Sequence, residues 1–599
     1  MSKLKGLIRK YFKTFTYFYS KLKYRLFVRT GLNLATGVLD GFGLAMFLPL
    51  LQIVGGNASE KSADSLGKMQ FLVDFIKASG LGFTLVTILS LMTVFFILKG
   101  IASYLNSIYG VWLRKYFMTT MRIQLSQNLS RFSYKRFIQT DVGRIQNTLT
   151  AEVGRISTAY EHYFGAFQQL ILVLVYMGFA FTIDSEFALL ISIGGGATNF
   201  IFKSLYSETK KASTDVTLAS HSYQGFIIQF ITNFKYLKST GSLGTYNKQL
   251  INSIKNIEDS QYRIGKLGSL VTALREPVII IIVCAVILIQ VYFMGGELGS
   301  ILISLLFFYK AINSLMFMQA AYNKFLAVSG ALDNVTDFEF QLHEGRENQG
   351  SKTFGKFQSN IILKNASFYY GTNQVLNGIE LVIPKSTTFA FVGESGSGKS
   401  TLVNVLAGLM PLSSGQYFID GVPITALDRN TLQSRIGYIT QEPVIFSDTI
   451  FNNVSFWDEP TPENLKRFNE ALSQASILNF VTALEKKGNT VLGNNGVNLS
   501  GGQRQRISIA RELYKDVDIL IMDEATSALD SETEQAIQQS IDALKGRYTI
   551  LIVAHRLATI KNADHIVLLG SGRILEQGSF FELSQSSTHF QKMIQHQEL

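Results

Sequence analysis

The stretch GESGSGKST has the residue types and spacing of a loop that binds phosphate. It fits the pattern G-x-x-x-x-G-K-[ST] and follows an apolar, strand-like run, TTFAFV. The glycines let successive backbone N–H groups turn towards phosphate oxygens without a Cβ in the way. The lysine reaches the β and γ phosphates, and the hydroxyl that follows it can bind Mg²⁺. The predicted cradle consists of Gly393, Glu394, Ser395, Gly396, Ser397, Gly398, Lys399, Ser400 and Thr401.

Two carboxylates, Asp523 and Glu524, end an apolar run, DILIMDE, that has the pattern of a buried parallel strand. Asp523 is predicted to hold the Mg²⁺ shell, and Glu524 to polarise an attacking water. Gln441, in YITQEPVIF, lies between the phosphate loop and this strand along the chain. An amide there can join the Mg²⁺ and water shell. Each of these patterns is common by itself, so the prediction depends on their order in the sequence.

A second anion-binding segment is predicted at LSGGQRQR, Leu499–Arg506. Ser500, Gly501, Gly502 and Gln503 have the pattern of a helix start, where free N–H groups attract anions. One nucleotide does not need two phosphate cradles in one domain. The sequence therefore predicts a dimer in which this helix of one copy closes on the γ phosphate held by the other.

Three further positions are candidate contacts of the nucleotide. Tyr370, in NASFYYG, can stack on adenine or belong to the core of its strand. The segment SALD, Ser527–Asp530, places Asp530 at the predicted dimer seam. His555 ends the strand-like run YTILIVAHR and is predicted to contact the γ phosphate, although a lone histidine is more often structural.

Apolar runs of membrane-spanning length fill the chain as far as about residue 325, and the remainder alternates short strands and helices. A chain of 599 residues is also too long for one core. The predicted fold class is a membrane α-helical bundle, with long cytoplasmic extensions of its helices, followed by an α/β P-loop ATPase domain. The predicted boundaries are 1–340 for the transmembrane domain, 341–357 for a linker and 358–599 for the nucleotide-binding domain.

Six transmembrane spans are predicted, and the loops between them alternate in length. IDSE joins the third span to the fourth and GGE joins the fifth to the sixth, whereas long segments rich in Lys and Arg follow the second and the fourth. The positive-inside rule places these long segments, both termini and the nucleotide-binding domain in the cytoplasm. The spans are approximately 31–54, 81–109, 164–183, 187–205, 277–294 and 298–317.

The composition and the N-terminal and loop segments indicate which partners and local structures to expect. The net charge of +11 is explained by basic residues at the cytoplasmic ends of membrane helices, so no nucleic acid partner is expected. The single cysteine, Cys284, excludes an internal disulfide. The basic and apolar N-terminal segment, 1–25, predicts an amphipathic helix in the headgroup region or a plain juxtamembrane tail. The first external loop, 55–80, can form a short surface helix or remain a disordered polar loop.

In this order, the phosphate loop, Gln441, the LSGGQ segment, the DE pair, SALD and His555 resemble the nucleotide-binding domain of the ATP-binding cassette (ABC) family. The preceding spans resemble the exporters of that family. The resemblance covers essentially the whole chain and implies ATP hydrolysis coupled to transport, with ATP and Mg²⁺ as cofactors. It also implies a homodimer, or a heterodimer with a related half-transporter, in the bacterial inner (plasma) membrane. Short cytoplasmic helices that transmit motion are expected near Tyr134–Thr140 and Phe230–Tyr236. The GNNG at Gly493–Gly496 departs from the GERG of many exporters.

Within the family, the stretches MFLPLLQI, TLTAEVGRISTAY and LGNNGVNLSGGQ are similar to the bacterial flippase for lipid-linked oligosaccharides. The expected substrate is an amphipathic, anionic, lipid-linked molecule drawn from membrane lipid. A multidrug or peptide exporter is the alternative, and an ATP-gated channel or regulator is a further one.

Three cations in or beside the spans, Lys99, Arg275 and Lys310, are tentative contacts for an anionic head group. A cation at this depth is usually retained because it faces a wet cavity or a partner. Structural alternatives are that Arg275 pairs with Glu276 or snorkels to the inner surface, and that Lys310 pairs with Asp40.

Overall fold

The computed structural model describes residues 13–54, 84–183, 185–293, 298–524, 531–554 and 560–598. The chain divides into two compact units. The first contains Met1–Phe132 and Arg136–Arg346, and the second contains Ser133–Lys135 and Glu347–Leu599. The division after Arg346 lies inside the linker predicted at 341–357, and the helix before it continues to Glu344, past the predicted start of that linker.

The first unit is helical, and several of its helices are more than twice the roughly 20 residues that cross a bilayer core. The second predicted span lies in a helix of 46 residues and the sixth in one of 47, so the expected long extensions are confirmed. A π-helical segment, Thr148–Glu152, separates two helices of the unit. The helices are α1 (Lys13–Leu22), α2 (Arg25–Ala45), α3 (Phe47–Val54), α4 (Leu85–Ser130), α5 (Tyr134–Phe137), α6 (Val142–Asn147), α7 (Val153–Ile183), α8 (Ser185–Thr232), α9 (Phe234–Ser239), α10 (Leu243–Phe293) and α11 (Leu298–Glu344).

Over its described residues, each predicted span coincides with helical structure, apart from short breaks. The first runs through α2 and α3, with a break at Met46, and the others lie in α4, α7, α8, α10 and α11. By length and composition, three stretches of the described chain could cross a membrane: Leu85–Ser130, Val142–Thr182 and Leu243–Ile289. The external loop at 55–80 lies outside the described residues.

Helix α1 packs against other helices of its unit. Phe18 and Leu22 are fully buried, and the ring centroid of Phe18 lies 5.4 Å from that of Phe117 and 5.8 Å from that of Tyr160. The predicted helix is therefore present over residues 13–22, and its apolar face has aromatic partners within the protein. Its location in the headgroup region stays a prediction. Residues 1–12 lie outside the described part.

Short helices occur close to both positions where they were expected. Helix α5, Tyr134–Phe137, lies in the first predicted segment, and α9, Phe234–Ser239, begins four residues after the start of the second. Ser133–Lys135 belongs to the second unit. Their role in transmitting motion stays a prediction.

The second unit contains two β-sheets with helices around them. The six-stranded sheet has the order β10-β9-β3-β8-β7-β6, in which only the β9–β10 pair is antiparallel. The four-stranded sheet, β2-β1-β4-β5, is antiparallel. The strands are β1 (Asn360–Tyr370), β2 (Asn373–Pro384), β3 (Thr388–Gly393), β4 (Ser414–Ile419), β5 (Val422–Pro423), β6 (Ile436–Ile439), β7 (Ile519–Asp523), β8 (Thr549–Val553), β9 (His565–Gly570) and β10 (Arg573–Gly578).

Helices and, on one face, the four-stranded sheet pack against the six-stranded sheet, whose central strands are apolar on both faces. Successive residues of a strand point to opposite faces. In β3, Phe389 and Phe391 belong to one buried core, whereas Ala390 and Val392 belong to the other. The helices are α12 (Lys399–Leu406), α13 (Arg429–Gln433), α14 (Ile450–Ser455), α15 (Pro462–Gln474), α16 (Leu478–Ala483), α17 (Gly501–Tyr514), α18 (Ser531–Asp542), α19 (Phe580–Ser586) and α20 (Thr588–Glu598).

The parallel strands bring three sequence motifs to one edge of the sheet. Strand β3 ends at Gly393, β6 ends two residues before Gln441, and β7 ends at Asp523. Because these strands run in the same direction, the residues that follow them meet at the carboxyl edge. Ligands of open parallel sheets bind at that edge.

Candidate nucleotide-binding site

The loop between β3 and α12 requires glycine at specific positions. Gly393, Gly396 and Gly398 have φ of 146°, 82° and 101°, values that residues other than glycine rarely adopt. A Cβ at Gly393 would lie 2.1 Å from the carbonyl oxygen of Leu569, and a Cβ at Gly398 would lie 3.0 Å from that of Val375. The sequence therefore forms a turn whose glycines leave backbone N–H groups uncovered, as a phosphate cradle needs.

Lys399 curls back over this loop from the first turn of α12. Its Nζ donates hydrogen bonds to the carbonyl oxygens of Gly393, at 2.8 Å, and Glu394, at 2.9 Å. Burial lowers the pKa of the Lys399 ammonium, while Glu524 and Asp523 raise it by a smaller amount. The lysine is thus held beside the loop and within the field of both predicted carboxylates.

The hydroxyl groups of the loop differ in burial. Ser397 is 4% exposed, and its Oγ has no hydrogen-bond partner among the described residues. Ser395 and Ser400 are exposed, and Thr401 is half-buried. A buried hydroxyl without a partner is costly unless a bound group satisfies it. Ser397 therefore fits a loop that takes an oxygen-rich ligand.

The two carboxylates lie at the end of β7, as predicted, and Glu524 contacts the predicted amide. The Nε2 of Gln441 donates a hydrogen bond to Oε2 of Glu524 at 2.8 Å, although the residues are 83 positions apart. Glu524 has φ of 49°, unusual for a residue with a side chain, and its backbone N–H donates to the carbonyl of Val553 at 3.0 Å. Strain of this kind at the edge of a sheet is typical of a functional position.

Tyr438 is a member of the site that sequence reasoning missed. Its hydroxyl lies 3.3 Å from Oδ2 of Asp523 and 3.2 Å from Oδ1 of Asn404, in the helix after the phosphate loop. Burial, with a smaller contribution from Asp523, raises the pKa of Tyr438, so the hydroxyl stays protonated and can donate. A signal was available, because Tyr438 lies in the strand just before Gln441.

The LSGGQ segment starts a helix, as the sequence predicts. Ser500 is the N-cap of α17, and its Oγ accepts from the backbone N–H of Gln503 at 3.2 Å. The Oε1 of Gln503 accepts in return from the N–H of Ser500 at 2.9 Å, which completes a capping box. These bonds remain within the segment instead of running to the 393–401 loop. Ser500 is exposed, while Gly502 is buried.

The remaining candidates of the nucleotide site are only partly described. Tyr370 ends β1, is half-buried, and packs edge-on to Phe368 with ring centroids 4.9 Å apart, so both interpretations of this residue stay open. His555 and Asp530 lie outside the described residues.

An ion pair between Lys310 and Asp40, one of the structural alternatives, is not found among the described residues. Lys99 pairs with Asp40 instead, with Nζ 2.6 Å from Oδ1, and the hydroxyl of Tyr176 donates to Oδ2. The Asp40 side chain is 4% exposed and that of Lys99 is 31% exposed. Lys310 is half-buried in α11, and the side chain of Arg275 lies outside the described part.

The loop, the lysine and the carboxylates together can bind a phosphate chain and present a carboxylate and an amide beside it. Two family models match the chain. One, described as ABC transporter transmembrane region, matches residues 29–320, and the other, described as ABC transporter, matches residues 376–527.

The chain is also similar in sequence to known proteins. The chain is 30% identical over 514 residues to an ATP-dependent lipid A-core flippase of Hahella chejuensis, a match that covers 82% of this chain and 84% of the relative. It is 31% identical over 411 residues to the protein of the same name from Francisella tularensis, covering 66% of this chain and 64% of that relative's length. The heterocyst differentiation ATP-binding protein HepA of Nostoc is 28% identical over 468 residues, covering 77% of this chain and 76% of that protein.

Among solved structures, a bacterial Atm1-family ABC exporter with ATP bound has a similar fold. The TM-score is 0.79 at 20% sequence identity, and the match covers 96% of this chain and 100% of that one.

Proposed function

The chain is a member of the ABC transporter family, and on that premise we propose that it couples ATP hydrolysis to the outward movement of an amphipathic, anionic, lipid-linked substrate across a membrane. The hydrogen bond of Gln441 to Glu524 beside the phosphate loop supports the hydrolytic part of this proposal. A carboxylate held in that position can accept a proton from an attacking water.

Different residues of the site bind the phosphates and the Mg²⁺ ion. Lys399 and the N–H groups of the loop bind phosphate oxygens, and the Ser397 hydroxyl gains the partner that it lacks in the described structure. Ser400, Gln441 and Asp523 offer the oxygen ligands that Mg²⁺ prefers. Bound Mg²⁺ would supply charge neutralisation at the phosphates.

A measurement of ATP turnover tests the role of Glu524. Glu524→Gln keeps the size of the side chain and removes the base, so kcat should fall by about 10²- to 10⁴-fold while ATP affinity stays nearly unchanged. Glu485→Gln, at an exposed position of the same unit, is the matched control and should retain the original rate. Near-normal turnover in Glu524→Gln would contradict the assignment.

We propose that two copies form each ATP site. The Ser500 helix start presents an anion-binding terminus, yet its hydrogen bonds do not run to the loop of its own chain. Binding of a second copy in a two-fold arrangement would let this terminus close on the phosphates. A homodimer satisfies this requirement, and a related half-transporter is the other possible partner.

Co-expression of two variants tests the shared site. One copy carries Lys399→Ala and the other carries Ser500→Glu. In a dimer of two identical variant copies, both ATP sites therefore contain one defective half. A mixed dimer retains one intact site, built from the loop of one copy and the Ser500 segment of the other, and should recover a clear fraction of the wild-type ATPase rate. No recovery in tagged, purified mixed dimers would contradict the shared site.

A lipid-linked substrate is supported by relatives rather than by a described pocket. The Hahella and Francisella relatives are both named as lipid A-core flippases. Lys99 is compensated by Asp40, so it contributes less free positive charge to a substrate path than the sequence alone suggested. Lys310 and Arg275 remain the proposed cationic contacts. The proposed location is the bacterial inner membrane, with the nucleotide-binding unit in the cytoplasm.

Substrate-stimulated ATPase in lipid nanodiscs distinguishes the substrate classes. A panel of phosphorylated glycolipids, lipid-linked sugars, neutral lipids, peptides and cationic drugs should give the strongest stimulation with the phosphorylated, lipid-linked members. Strongest stimulation by a drug or peptide would favour a multidrug or peptide exporter. ATP binding with unchanged basal turnover and passive flux would favour a gated channel.

A further inference from the structure

Two arginines at the start of α2 have no ion-pair partner in the described parts of the chain. Arg25 and Arg29 lie one helical turn apart and so share a face. Both side chains are half-buried, and the Nε atom of each is buried without a hydrogen-bond partner. The one polar side-chain contact of Arg29 within the described residues is a hydrogen bond to the hydroxyl of Tyr160, at 3.0 Å. Two partly desolvated positive charges thus lie one turn apart, and no described carboxylate pairs with either of them.

Two lysines of α1 differ from this pair because each has a carboxylate partner. Lys13 pairs with Asp333 and Lys21 pairs with Glu339, each with Nζ 3.0 Å from a carboxylate oxygen. The first unit therefore provides acidic partners for lysines of the preceding helix. Because partly buried charges are usually paired, the missing negative charge beside Arg25 and Arg29 points to an external anion.

Aromatic rings of α4 form a platform around Arg25. The rings of Tyr109, Trp112 and Tyr116 stack in succession, with centroid separations of 5.5 Å and 5.8 Å. The Arg25 guanidinium lies 4.2 Å from the centroid of Tyr116 and 6.0 Å from that of Trp112. Tyr24 also has its ring centroid 4.9 Å from the same guanidinium. The rings hold the guanidinium by cation–π contacts, which leave its N–H donors available for an anion.

The platform is open to its surroundings. Trp112 is 46% exposed and Tyr24 is 64% exposed. Arg25 and Arg29 precede the first predicted span, and Trp112 and Tyr116 follow the second, so the cluster falls at one predicted membrane interface. Trp and Tyr favour such interfaces, and arginines there attract anionic lipid head groups.

We propose that Arg25, framed by Tyr24, Trp112 and Tyr116, and Arg29, one turn further along beside Tyr160, bind the phosphate head group of an anionic phospholipid of the cytoplasmic leaflet. The site is separate from the nucleotide site. It depends on the placement of the first unit in a membrane and not on the identity of the transported substrate, so either proposal can fail without the other.

Fluorescence of Trp112 offers a direct test, because the chain has two tryptophans. In a Trp457→Phe background, Trp112 is the single emitter. The full-length protein is placed in phosphatidylcholine nanodiscs that contain a small, fixed fraction of lipid with brominated acyl chains, either phosphatidylglycerol or phosphatidylcholine. We expect stronger quenching by the anionic lipid, corresponding to a local enrichment of about fivefold per arginine. Equal quenching by the two brominated lipids would overturn the proposal.

Paired variants separate a built site from diffuse attraction. Arg25→Gln with Arg29→Gln should remove the excess quenching by phosphatidylglycerol. Lys23→Gln with Lys115→Gln removes the same charge from exposed neighbouring positions and should leave that excess in place. An equal loss in both double variants would overturn the proposal in favour of general surface charge.

A charge-conserving variant keeps the test decisive if the glutamine variant does not reconstitute. Arg25→Lys with Arg29→Lys keeps both charges but loses the planar stacking, and should lower the excess quenching. Unchanged quenching in this variant would contradict the aromatic platform. Basal ATPase should be the same in all variants, which shows that the proteins remain folded.

Discussion

The phosphate loop of the second unit and the Asp40 cluster of the first hold polar groups in opposite ways. In the loop, Lys399 contacts carbonyl groups only six and five residues before it in the chain. Asp40 instead contacts Lys99 and Tyr176, which are 59 and 136 residues away and lie on other helices. The first arrangement is set by local backbone geometry, and the second by how α2, α4 and α7 pack together.

The difference determines what each arrangement can tolerate. A local turn depends on residues that can adopt its φ values, so a single methyl group can prevent it from forming. A pair between helices depends on both charges being present, because removing one leaves the other buried without compensation. Substitutions of the two kinds should therefore differ in whether a second substitution can restore stability.

The largest effect is expected for Gly393→Ala in the loop. Its Cβ would meet the Leu569 carbonyl oxygen at 2.1 Å, and φ of 146° is unfavourable for alanine. We expect a loss of about 4 kcal/mol in unfolding free energy, from strain and overpacking together, and loss of ATP binding. Gly355→Ala, which has no atom within 4 Å of the added Cβ, should be nearly neutral. Thermal unfolding and nucleotide titration of the full chain measure both, and a stable, ATP-binding Gly393→Ala would show that the loop is less constrained than its geometry indicates.

A smaller loss is expected for Lys99→Met in the Asp40 cluster. The Asp40 carboxylate is almost fully buried, and it would lose its cation. We expect a loss of about 3 kcal/mol, the lower end for a broken buried ion pair because Lys99 keeps some exposure. Adding Asp40→Asn should restore part of the loss, which no second change should do for Gly393→Ala.

The control for this pair is Lys310→Met. The sequence alone allowed Lys310 as the partner of Asp40, whereas the structure pairs Asp40 with Lys99. Lys310→Met should therefore lower the unfolding midpoint less than Lys99→Met, and its effect should be the same with Asp40 or Asn at position 40. Coupling between Lys310 and Asp40 in this double-mutant cycle would contradict the assigned pair.

The same contrast explains which features were predictable from sequence. The loop, the strand before Asp523 and the helix start at Ser500 were each predicted because their constraints lie within a few residues. The partner of Asp40 was not predictable, because apolar spans carry no signal for which faces meet. The burial of Phe18 was missed for the same reason, since an amphipathic helix has the same pattern against lipid as against protein. The Glu524 contact with Gln441 is an intermediate case, because the motifs were identified but the hydrogen bond depends on the order of strands in the sheet.

Tyr438→Phe should have the smallest effect and tests whether the nucleotide site also depends on contacts that are not local. The hydroxyl links Asp523 to Asn404, on different elements of the second unit, and the substitution removes this link without creating a large cavity. We expect a loss of about 1 kcal/mol, the usual contribution of such hydrogen bonds, and a decrease in kcat of a few fold because Asp523 is less firmly oriented. Tyr417→Phe is a useful control, since its buried hydroxyl donates to the carbonyl of Leu406 at 2.7 Å, in the same helix α12 as Asn404, and does not contact Asp523. Tyr417→Phe should lower the unfolding free energy by a similar amount without changing kcat. If both variants lower kcat equally, the effect reflects a general loosening of α12. That result would contradict the hypothesis that Tyr438 orients Asp523.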